Sequence, residues 1–205
     1  NQSGAELFVV ADRVPGARLS TVLAVARPPR VPLELHATLC LIRQLVAAIA
    51  LLHEKLPTLA HGAISPERII ITPTARLVVA DYVLGPALEQ LRYSPERYWK
   101  ELGILLPLPK SGHPRFDQRA DVMQIGAIAL ELILGRAIEH DEYPDRVDEL
   151  TERAWEESAA AGRPLQSELR TWLLRMLQVD ARQPFGSAVD AWIDLERVLG
   201  ASGDG

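Results

Sequence analysis

The sequence predicts a mainly α-helical chain with a small β component. Two long stretches, 33–54 and 117–135, place apolar residues three and four apart. Amphipathic helical patterns follow at 145–157, 165–178 and 187–199. The β-rich runs are few and short.

In chain order, the apolar run Leu7, Phe8, Val9 and Val10 within 6–11 suits a strand, and Val14-Pro15-Gly16 reads as a turn. A short helix is expected over 19–25, broken by Pro28, Pro29 and Pro32. The 35–54 pattern carries Leu39, Ile42, Leu45, Val46, Ile49 and Leu52 and is apolar almost all round, so it is expected to be a buried helix. Runs at 69–72 and 77–79, around Thr-Pro-Thr-Ala-Arg, form a candidate hairpin. Between the hairpin and Asp117 the chain reads as irregular. The second buried helix carries Val122, Ile125, Ile128, Ala129, Leu132 and Ile133, with Gly135 as its stop. One domain over 1–199 and a flexible tail over 200–205 complete the reading.

At 205 residues and 48% hydrophobic content, one compact domain with a real core is expected. With 22 basic against 27 acidic side chains and no basic cluster, the net charge of -5 argues against a nucleic-acid or anionic-membrane partner. The single Cys40 supports neither a disulfide framework nor a metal-ligand set; it fits a reducing, cytoplasmic compartment and is expected to be a small core residue rather than a nucleophile. No run is read as reaching the roughly 18 to 20 apolar residues that span a bilayer, so no membrane insertion is expected. The chain starts at Asn1 without a signal-peptide pattern, which suggests a piece of a longer protein.

Several motifs stand in a telling order. Asp12-Arg13-Val14-Pro15-Gly16-Ala17-Arg18-Leu19 is followed by His53 at the end of the long helix and by His61-Gly62-Ala63-Ile64-Ser65-Pro66-Glu67-Arg68-Ile69-Ile70. Then come Asp81-Tyr82-Val83, Tyr93-Ser94-Pro95-Glu96-Arg97, and Asp121-Val122-Met123-Gln124-Ile125-Gly126. In this order and spacing they resemble the hinge, the catalytic loop H-R-D-L-K-P-E-N, the D-F-G motif, the A-P-E region and the central helix of the protein-kinase superfamily. The resemblance covers nearly the whole chain and implies the large C-terminal lobe of a Ser/Thr-kinase-like domain: helical, with a small hairpin and a hinge strand and turn over 1–16. The small lobe, with its Gly-rich loop and Lys, would lie before residue 1.

The same resemblance implies that the chemistry is lost. Kinases use a carboxylate to accept the substrate proton, a Lys to steady the phosphoryl group, and Asn and Asp side chains to hold Mg²⁺. The first three positions fall on Ala63, Ser65 and Arg68. A methyl accepts no proton, and a guanidinium repels a divalent ion. Asp81 survives as a lone metal-ligand candidate, with capping of a turn or pairing with Arg68 as the alternative. Val83 stands where the family has Gly, which favours one fixed conformation. The interval 84–93 is short and offers only Tyr93 for phosphorylation.

Structural positions fare better. His61 and Tyr82 fall on the family's internal column, Asp121 is expected to accept backbone hydrogen bonds from the loop, and Glu96 to pair with Arg182. The expectation is therefore a pseudokinase acting as a protein-interaction or regulatory module in a larger, bacterial signalling chain, with a protein partner and no required cofactor. The Ala-, Arg- and Leu-rich usage fits a GC-rich genome. Trp99 and the apolar stretch 104–110 are candidate contacts, whereas Trp155, Trp172 and Trp192 read as core. The alternatives are a spacer, a nucleotide-binding sensor without turnover that uses Ala11, Asp12, Arg13, Ile70 and Asp81 with weak, metal-independent ATP binding, and an atypical kinase using Asp81 with Glu67.

Overall fold

A computed structural model describes residues 13–26, 33–81, 84–108, 112–143, 145–179 and 183–200. The structure is mainly helical, with one small antiparallel sheet. Strand β1 (Ala17–Arg18) leads directly into α1 (Leu19–Ala26), and α2 (Leu35–Lys55) follows. After a 3₁₀ turn (Pro66–Arg68) come β2 (Ile69–Ile71) and β3 (Leu77–Val79), then two helices, α3 (Gly85–Glu89) and α4 (Pro95–Leu102). The remaining helices are α5 (Gln118–Leu134), α6 (Val147–Ala160), α7 (Ser167–Met176) and α8 (Ala188–Gly200).

The hairpin pairs Ile69 with Val79, Ile70 with Val78 and Ile71 with Leu77. The strand β1, which the sequence pattern did not reveal, adds to its other edge with Arg18 opposite Ile70. The expected strand at 6–11 lies outside the described residues.

Helix α5 is the axis of the core. Asp117 caps its N-terminus by accepting from the Arg119 and Ala120 amides, and Gly135 ends it at φ 66° in the left-handed region. Every residue from Ala120 to Leu132 is buried. Gly126 lets α7 approach: a Cβ there would lie 2.8 Å from Met176 Cβ and 3.1 Å from its carbonyl carbon.

Helix α2 departs from expectation in two ways. It buries one face, Thr38, Leu41, Ile42, Leu45, Val46, Ile49, Ala50 and His53, against α5, α8 and β3, while Ala37, Cys40, Arg43, Ala48 and Leu51 face outward. Cys40 is exposed, not core. The outer residues are mostly small, so leaving them in water costs little and one-sided packing suffices. This helix is also long and apolar enough to cross a bilayer by length and composition, contrary to the sequence reading, because a single Arg43 does not break the stretch.

The stretch read as irregular contains two helices, and its apolar part is core. Ser94 Oγ accepts from the Arg97 amide at 3.3 Å, Pro95 opens α4, and Gly103 closes it at φ 62°. Trp99 is buried edge-on against His140 and Tyr143, and its Nε1 donates to the His140 carbonyl. Ile104, Leu105 and Leu106 are buried too; only Leu108 is well exposed in the described part of the stretch proposed as a contact loop. Trp172 is core, whereas Trp155 and Trp192 are partly buried at its edge.

Candidate functional site

The loop from His61 to Arg68 joins α2 to the hairpin, and its backbone is fixed by side chains from α5. Asp121, fully buried in the first turn of α5, accepts from the His61 amide at 2.6 Å and the Gly62 amide at 2.7 Å. One turn on, Gln124 accepts from the Ile64 amide at 2.8 Å and donates to the carbonyls of Gly62 and Leu105. The spacing of three between Asp121 and Gln124 puts both on the face that meets the loop. Gln124 was legible from this spacing, yet only Asp121 was singled out in the sequence.

Two histidines complete the frame. His53 lies 3.0 Å from Asp121 Oδ2 through Nε2, while its Nδ1 accepts from the Ala188 amide at 3.0 Å. His61 is buried; its Nε2 meets the Ala80 carbonyl at 3.2 Å and its Nδ1 accepts from the Ala63 amide. Burial holds the His61 pKa below the ordinary histidine value, against the opposing pull of Asp121, and the ring is neutral near pH 7. Gly62, at φ 79°, packs so closely on Gly85 that a Cβ would sit 2.5 Å from the Gly85 Cα.

The positions assigned to chemistry are of another kind. Ala63 is fully buried in an apolar cluster with Tyr98, Ile104, Leu106, Phe116 and Ala120. Ser65 is buried and its Oγ accepts from Arg68 Nη1 at 3.2 Å; the same nitrogen reaches the Ala63 carbonyl at 3.5 Å. Arg68 Nε lies 3.9 Å from Asp81 Oδ2, with side chains 20% and 58% exposed. Asp81 itself holds φ 63°, a left-handed conformation uncommon outside Gly, Asn and Asp. Glu67 is exposed beside Arg18 of β1, turned to the sheet side.

Of the remaining candidates, Ile70 is half-buried in β2 and Arg13 is exposed. Ala11, Asp12, Tyr82, Val83 and Arg182 lie outside the described residues. Glu96 is at the surface of α4, where the Ser94 hydroxyl draws its carboxyl below the usual range, and the partner expected of it, Arg182, lies outside the described residues. A shielded pair occurs between Arg136 and Glu142, bidentate at 2.7 and 2.8 Å. Tyr93 is half-buried with the Arg97 guanidinium 3.7 Å over its ring. Among the described residues no group of three or more His, Cys, Asp or Glu side chains is placed to hold a metal ion.

Compared with known proteins, the sequence matches no family model and no curated protein.

Proposed function

We propose that the chain is a kinase-like C-terminal lobe without phosphotransfer chemistry, acting as a protein-interaction or regulatory module. One observation carries the reading. The loop that resembles a catalytic loop is held by hydrogen bonds from Asp121 and Gln124, while its chemical positions hold a buried methyl at Ala63, a buried hydroxyl at Ser65 and a guanidinium at Arg68. A general base must lie within hydrogen-bond reach of the proton it takes, and Ala63 offers none. A fixed cation 3.9 Å from Asp81 opposes a divalent ion at that carboxylate. A framework retained around absent chemistry serves recognition.

A second reading, nucleotide binding without turnover, draws support from Arg68, which brings a positive charge where a metal would otherwise be needed. Melting curves with ATP, with and without Mg²⁺, test both. The expected result is no stabilisation that depends on Mg²⁺. A melting temperature that rises only with Mg²⁺ and ATP together would overturn the proposal.

A further inference from the structure

A pocket of about 380 Å³ opens where the start of α5, the end of α7 and the stretch after α4 meet, and it shares no residue with the loop from His61 to Arg68. That volume falls in the range of small-molecule sites. Pro107, Met123, Tyr143, Val147, Leu177 and Val179 give it apolar walls, and Leu108 borders it while remaining 62% exposed. Tyr143 offers only its ring, since its hydroxyl already donates to the Leu106 carbonyl at 2.8 Å. Among the described residues that line the pocket, Arg119 carries the only charge. Its side chain is exposed and has no hydrogen-bond or ion-pair partner among the described residues. Beside it, Gln178 stands at φ 59°, a position after a helix usually given to Gly. The Gln178 amide nitrogen donates to the Arg119 carbonyl at 3.2 Å, which ties the two residues together at the pocket.

We propose that this pocket binds a small apolar monocarboxylic acid, with its hydrocarbon body between Met123, Val147 and Leu177 and its carboxylate on Arg119. The planar guanidinium fork matches the two oxygens of a carboxylate. A single cation also limits the charge of the ligand. A phosphate or polyphosphate would bring further negative charge to an apolar cavity without a counterion, at a cost that rises with burial. A neutral apolar molecule would leave the guanidinium unused. The apolar walls supply most of the affinity through area removed from water, and Arg119 selects the charged end.

Methionine methyl NMR reads the pocket directly, because the chain has two Met: Met123 lines the pocket and Met176 is fully buried against Gly126. Titration with octanoate is expected to shift the Met123 methyl saturably and to leave the Met176 methyl in place. Octanamide, which has the same body without the charge, is expected to bind about fivefold more weakly, the size of an ion pair open to water on one side. Arg119→Gln keeps the backbone carbonyl that holds Gln178 and is expected to weaken octanoate by the same factor while leaving octanamide unchanged. No saturable shift at Met123 with octanoate would overturn the inference. So would equal affinity of the wild-type chain for octanoate and octanamide, an arm that needs no variant, or octanoate affinity indifferent to Arg119→Gln. None of these outcomes bears on phosphotransfer, so the non-catalytic reading stands or falls separately.

Discussion

His53 donates to Asp121 through Nε2 because the other nitrogen of its ring is already occupied: Nδ1 accepts from the Ala188 amide at 3.0 Å, so the ring proton sits on the nitrogen 3.0 Å from Asp121 Oδ2. One neutral imidazole thereby ties the first turn of α8 to the first turn of α5. The same carboxylate holds the His61 and Gly62 amides. Three elements distant in sequence converge on Asp121, with both its oxygens satisfied.

Asp121→Ala is expected to be the most damaging single truncation in the loop framework. It orphans two buried amides and the His53 N–H, at about 1 to 3 kcal/mol for each buried group left unpaired. The effects are not independent, because the groups share one acceptor. Urea denaturation followed by circular dichroism reads the loss; a midpoint equal to wild type would mean that α5 and the loop are not joined in this way.

Glu131 predicts a pH dependence of the opposite sign to that of most carboxylates. Complete burial in α5 raises its pKa from the ordinary 4.5 to about 7, with the Ile138 amide and Arg136 only partly offsetting the desolvation. The folded state therefore binds the proton more tightly than the unfolded state. Between these values stability falls as pH rises, and above about 7 the full cost, about 3 kcal/mol, remains. Glu131→Gln keeps an oxygen for the Ile138 amide and removes the charge. Its stability gain over wild type is expected to grow from pH 5 to pH 7; a gain independent of pH would contradict the buried carboxyl. The depressed His61 pKa acts separately, with stability lost as pH falls below about 6.5, and cancels in this comparison.

Ala63→Asp restores the residue type that the resemblance assigns to the base, but the environment opposes it. The methyl lies among Tyr98, Ile104, Leu106, Phe116 and Ala120. An unpaired carboxylate there is expected to destabilise the fold by about 3 kcal/mol or more at neutral pH, and less in acid as it protonates. Equal stability of variant and wild type in denaturant titrations would place that side chain in solvent instead.

Much of the helical framework was legible because its signals are local. Asp117 and Gly135 mark both ends of α5, and the apolar spacing within α1, α2 and α5 to α8 marks their buried faces. Helix α4 carried equally local signals, Ser94-Pro95 and Gly103, yet Ser94 and Pro95 were read only as part of a motif and Gly103 was not read at all. What the sequence concealed depends on distant partners. Trp99 is core because Tyr143 and the His140 carbonyl meet it from another loop, and Cys40 is exposed because no element among the described residues covers that face of α2. At the site, the Asp121 contacts and the proximity of Arg68 to Asp81 follow the motif order. The burial of Ala63 arises from α4, the 104–106 stretch and Phe116, whose convergence no spacing announces.

The central claim, a kinase-like framework without phosphotransfer, is tested most directly by incubating the purified chain with radiolabelled ATP, Mg²⁺ and generic protein substrates. The account predicts no incorporation above a protein-free control, into the chain or the substrates. Mg²⁺-dependent incorporation that disappears in Asp81→Ala would contradict it.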